Sequence, residues 1–223
     1  WSMGDWTNRP NLVADWMSLF FLLNLIVILM LYKLDPNRLK SLLNIFRLRF
    51  YFGKYSHEKE LNYLSYFNTS SFLIIISALA LTCFSFSTYS PIPLRYSFEF
   101  YFLLLGLFLF LFCRHFLTQF ISSQLGFQKA IKFSIYKNFS IATQVSIYLI
   151  GLVFLWNYSS LPIIFIESIL VLMTLFWVVN QISIFFSFFK SSPKDLIYIF
   201  LYLCTFKLAP WIWVYLLFVE AKL

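Results

Sequence analysis

A chain of 223 residues with 61% hydrophobic and 12% charged side chains carries about half the charge of a soluble domain, for which about 25% is usual. Its 17 basic and 9 acidic side chains cannot cover a globular surface, and the apolar residues run in blocks long enough to cross a bilayer. These counts exclude an ordinary soluble enzyme, a disordered chain and a disulfide scaffold. They leave an all-α integral membrane protein.

Taking about 20 apolar residues as one crossing, six uncharged stretches qualify. They are Trp16 to Tyr32, Asn62 to Phe86, Tyr96 to Cys113, Phe139 to Trp156, Pro162 to Phe189 and Leu196 to Phe218. Helices are required because no lipid-exposed backbone group can stay unpaired. Barrel strands would alternate over about ten residues, whereas these runs are apolar on every side. Residues 1–15 form a short segment ahead of the first span, and residues 16–223 read as a single transmembrane domain.

Charge sets the orientation. Lys33, Arg38, Lys40, Arg47, Arg49, Lys54 and Lys59 follow the first span; Arg114, Lys129, Lys132 and Lys137 follow the third; Lys190 and Lys194 follow the fifth. Only Arg9, Arg95 and Lys222 lie on the other side. By the positive-inside rule the three basic connections face the cytoplasm and both termini face the periplasm of a bacterial inner membrane. The net charge of +8 therefore reports orientation and gives no sign of a nucleic-acid partner. An outward end that starts at Trp1, with no apolar leader ahead of it, points to an upstream portion removed or not included.

The long basic connections have their own periodicity. From Asp35-Pro36, which opens a helix, apolar residues recur at Leu39, Leu42, Leu43, Phe46 and Phe50. Asn37, Arg38, Lys40, Ser41, Asn44 and Arg47 occupy the other face, and Arg49 follows. Phe127, Ala130, Ile131 and Ile135 repeat the pattern around Lys129, Lys132 and Lys137. Both read as basic amphipathic helices in the headgroup layer, where anionic lipid is the partner. Ser192-Pro193-Lys194-Asp195 reads as the cap of the sixth span.

Catalytic and cofactor motifs do not assemble. Five scattered glycines make no phosphate-binding loop. Cys83, Cys113 and Cys204 sit singly in apolar stretches and His57 and His115 lie far apart, so no metal spacing arises. No Ser/His/Asp set can be written, and neither an enzyme nor a cofactor is expected. Ionisable residues inside spans are the remaining candidates. Lys207 sits near the middle of the sixth span. Pro210 removes a hydrogen bond from the carbonyl of Phe206 and kinks that helix. Glu167, about 7–8 Å below the outer end of the fifth span, is either the partner of Lys207 or a carboxyl kept neutral by burial. Gln144, Asn180 and Gln181 read as inter-helix hydrogen-bonding groups, and Ala78/Thr82 and Ala142/Ser146 as small faces for close packing.

Several stretches resemble a family of Bacteroidota inner-membrane proteins described as a domain of unknown function, number four-two-seven-one. The terminal Leu201-Tyr202-Leu203-Cys204-Thr205 with Leu208-Ala209-Pro210 resembles its LYLCT-x-x-x-x-P signature. Arg49-Phe50-Tyr51-Phe52, Glu60-Leu61-Asn62 and Ile135-Tyr136-Lys137 are weaker echoes. At Lys207 the family pattern usually has a glutamate, and this chain departs from it. The resemblance implies an address and no assigned activity. The expected function is a non-catalytic scaffold or accessory subunit of a larger membrane assembly, with envelope protein export as an analogy and other membrane subunits as partners. The alternative is a small proton-coupled carrier using Lys207 and Glu167.

Overall fold

The computed structural model describes residues 15–44, 48–55, 65–89, 100–124, 128–159 and 163–191, and the regular structure among them is α-helical. In chain order these are α1 (Asp15–Leu34), α2 (Pro36–Leu43), α3 (Leu48–Tyr55), α4 (Tyr66–Tyr89), α5 (Phe100–Gln124), α6 (Gln128–Tyr158) and α7 (Ile163–Ser191). Four helices carry stretches long and apolar enough to cross a membrane: Trp16–Leu34, Tyr66–Ser85, Phe133–Tyr158 and Ile164–Ile184. They correspond to the first, second, fourth and fifth expected spans. The third, α5, runs for 25 residues, but its apolar part, Phe100–Arg114, is shorter than a full crossing. The expected sixth span and the Ser192–Asp195 cap lie outside the described residues.

Burial ranks the helices from centre to edge. Over half of the apolar window of α4 is buried (56%), against 22% for α1 and 11% for α7. In α4 the fully buried Ser71, Ile74, Ala78, Leu81 and Ser85 recur every three or four residues, one stripe of a 3.6-residue helix. Three of the five are small. Lipid tails are as apolar as Leu, so close approach and hydrogen bonding bind such helices together. The facing helix α6 supplies Ser140, Thr143 and Ser146, all buried, and α4 packs most extensively against it. Within the two expected small faces, Ala78 is fully enclosed and Ser146 is buried.

Contacts fix the directions. Asn24 meets Ser77 and Trp16 meets Phe84, so α1 and α4 are antiparallel. Ser18 meets Tyr158 and Phe21 meets Phe154, so α1 opposes α6 as well. Hence α4 and α6 run parallel, and α5 returns between their opposite ends. Its first residue, Phe100, packs on Trp16, Phe20 and Phe84 with ring centroids 4.7, 4.9 and 5.7 Å apart. This aromatic knot, worth about 0.5–1.5 kcal/mol per pair beyond burial, closes one end of the bundle. Beyond α6 lies α7, antiparallel to it, held by Ile166 and Leu170 against Leu152.

Two differences from the sequence reading concern the basic connections. Residues 36–50 are not one surface helix. The chain leaves α2 at Asn44, which is extended (φ −82°, ψ 105°), and resumes as α3. The second basic stretch is not a separate element either. Lys129 and Lys132 lie on the first turns of α6, which continues unbroken into its span. No glycine or proline stands between Gln128 and Gly151, so nothing stops the helix.

Candidate functional site

The end of the bundle opposite the aromatic knot is assembled from α2 and α3 docked on α4 and α6. Asp35 starts it. Its carboxylate accepts the backbone N–H of Arg38 at 2.9 Å, the N-cap geometry that satisfies a donor left over at a helix start, with Pro36 at the first turn as expected. Asp35, non-helical at φ −152° and ψ 89°, separates α2 from α1, and Arg38 on the first turn of α2 is buried.

Arg38 is only 7% exposed, although helical periodicity assigned it to the polar face with Lys40. Its guanidinium lies 4.2 Å from the centroid of the Phe67 ring on α4. Its Nε donates a long 3.4 Å hydrogen bond to the hydroxyl of Tyr51 on α3. The hydroxyl of Tyr136 on α6 donates to the same oxygen at 3.2 Å, and the two tyrosine rings stack 6.3 Å apart at 6°. A guanidinium is weakly hydrated and stacks on aromatic faces, so an arginine fits where a lysine would resist burial. Arg38 thus ties α2 to α3 and α4, and Tyr51 carries the link on to α6. The stretches Arg49–Phe52 and Ile135–Lys137, noted separately in the sequence, meet here through Tyr51 and Tyr136.

A second tie lies one layer deeper. The carbonyl of Leu43, one of the orphan acceptors at the end of α2, receives the Tyr148 hydroxyl and, at 3.4 Å, the Nε2 of Gln144. Gln144 is fully buried. Its Oε1, with the hydroxyl oxygens of Ser71 and Ser85, has no hydrogen-bond partner among the described residues. Lys137 stands at the rim, 4.6 Å from the Phe133 ring and 5.6 Å from the Phe52 ring. Lys40 is exposed beside Tyr32, and Lys33 and Lys54 are exposed too.

Within the spans, polar side chains join helices. The Ser77 hydroxyl donates to Asn24 Oδ1, buried between α1 and α4. Gln181 Nε2 donates to Asn138 Oδ1 at 2.5 Å, joining α7 to α6 as its position suggested. Asn180 instead bonds the carbonyl of Phe176 in its own helix. Asn24 was missed in the sequence; the signal was there, since it is the only amide inside the first span. Among the described residues no group of three His, Cys, Asp or Glu side chains could hold a metal.

Of the intramembrane candidates, Glu167 sits on α7 and is exposed. Lys207 and Pro210 lie outside the described residues, as does Arg47. Arg49 falls on α3.

The family described as "Domain of unknown function (DUF4271)" matches residues 16–218. The chain belongs to this family. Neither a curated protein nor a solved structure matches the chain. The DUF4271 match takes in both the helical bundle and the docked α2–α3 elbow, so the Arg38 cluster belongs to the family domain rather than to an appendage of it.

Proposed function

We propose that the chain is a non-catalytic scaffold or accessory subunit of a larger assembly in the bacterial inner membrane. In this reading α5 and residues 196–218 complete six crossings, the Arg38 end faces the cytoplasm, and both termini face the periplasm. Exposed Lys33, Lys40 and Lys54 meet anionic headgroups there. Assemblies for envelope protein export are the analogy.

One observation carries the reading. Among the described spans, the buried Asn24, Ser77, Thr143 and Gln144 bond a neighbouring element or their own backbone, while the flanks of the described bundle stay open. On α7, Ile164, Leu172 and Val179 are each more than 60% exposed, and so are Leu19 and Leu22 on α1. Glu167 shares the outward side of α7. An ionisable group within a span normally faces protein or water, so a carboxylate on this flank favours a neighbouring subunit over bare lipid.

A photo-crosslinking residue placed at Leu172 tests this in cells at native expression, with the same probe at buried Ile74 as the control. The Leu172 probe should give one discrete protein adduct, and the same partner should copurify in gentle detergent. A lone monomer whose only adducts are lipid would contradict the proposal.

A further inference from the structure

Between α4, α5, α6 and α7 lies a partly open cavity of about 320 Å³, within the size range of ligand sites. Its chemistry is graded along the helices. Arg114 and Asn138 line one end; Ala142, Leu79 and Leu149 line the interior, with Trp177 on the α7 side. From Asn138 to Leu149 the cavity follows α6 for eleven residues, about 16 Å at 1.5 Å per residue. That equals the hydrocarbon depth of one leaflet, half of about 30 Å. The polar end lies five residues, about 7–8 Å, into the apolar stretch that starts at Phe133, a depth from which a long basic side chain reaches the headgroup layer. The Asn138–Gln181 bond pins α6 to α7 beside it.

We infer that this cavity holds one acyl chain of an anionic phospholipid from the surrounding leaflet, with the phosphate against Arg114 and Asn138. Three features select that occupant. An apolar slot one leaflet deep takes a chain and leaves no room for a headgroup inside. The positive charge of Arg114 in the lining attracts an anionic headgroup. Because the slot is partly open, a lipid can enter it from the bilayer without crossing the membrane. The inference goes beyond the scaffold reading and does not depend on it: a monomer with no partner could still retain the lipid.

Native mass spectrometry of the full chain in mild detergent tests it, with phosphatidylglycerol and phosphatidylethanolamine of identical chains and with palmitate. One phosphatidylglycerol should be retained per chain in preference to phosphatidylethanolamine. Arg114→Gln should lower that preference about fivefold, the worth of one basic contact near a membrane surface. Ala142→Phe, which fills the slot, should abolish retention, while Ser140→Ala, on α6 but outside the lining of the cavity, should retain the lipid and report on folding. Phosphatidylglycerol brominated along the chain should quench the Trp177 emission, and Trp177→Phe should remove that component. Equal retention of both phospholipids in wild type and Arg114→Gln would overturn the inference. So would retention that survives Ala142→Phe, or saturable binding of palmitate without phosphatidylglycerol.

Discussion

Arg38 shows how one side chain can organise a membrane domain's edge. A cation close to the bilayer must be paired, solvated or laid on an aromatic face. Here Phe67 supplies the face and Tyr51 the hydrogen-bond acceptor. Arg38→Ala should destabilise the protein by about 1–3 kcal/mol, summing a cation–π contact and a hydrogen bond to a charged group. Arg38→Lys should recover only part of it, since an ammonium gains less from the site. Thermal unfolding in detergent measures both; equal stability of wild type and Arg38→Ala would mean the cluster holds nothing. The Asn24–Ser77 bond belongs to the same scale. A double-mutant cycle with Asn24→Leu and Ser77→Ala should give a coupling of about 0.6–1.7 kcal/mol, the range found between membrane helices. Periodicity could not show that Arg38 turns inward, because its acceptors come from residues 13 and 29 positions away. The cap ahead of it was legible, in Asp35-Pro36.

The α2–α3 elbow is held to the bundle from α6. Tyr148 caps the final carbonyl of α2, and without it that acceptor keeps only the long 3.4 Å bond from Gln144. Tyr148→Phe should therefore cost about 0.5–1.5 kcal/mol and speed hydrogen exchange in Pro36–Leu43 while α7 is unaffected. Uniform change across the domain would argue against a local tie. The elbow itself was not legible: Leu39, Leu42, Leu43, Phe46 and Phe50 fit one helical face, and no glycine or proline marks Asn44 as a break. The continuity of α6 could have been read, since the same lack of breakers from Gln128 onward argues for one helix. At α5, Gly106 faces outward with nothing within 4 Å of an added Cβ. Gly106→Ala should raise stability of the isolated chain by about 0.5–1 kcal/mol through helix propensity. If that substitution instead releases a copurifying partner, the glycine is where a neighbour's backbone approaches.

For the molecule as a whole, hydropathy placed the helices of the described bundle, and charge made a forecast about its sidedness. Within the described bundle α1 opposes α4 and α6, and the basic residues Lys33, Arg38, Arg114 and Lys137 gather toward one end while Trp16, Phe84, Phe100 and Tyr158 gather at the other. How the helices share polar groups was hidden, because hydrogen-bond partners such as Leu43 and Tyr148 are brought together by packing, which single-chain periodicity does not encode. The central claim is that the Arg38 end lies in the cytoplasm and the chain ends lie outside. It is tested by an impermeant maleimide on variants whose native cysteines are replaced. Single cysteines would be placed at Ser2, at Asn44 in the elbow and at Lys222. With only the outer membrane permeabilised, Ser2→Cys and Lys222→Cys should label and Asn44→Cys should label only after the inner membrane is broken. Labelling of Asn44→Cys in cells with an intact inner membrane, with the two ends protected, would contradict the account.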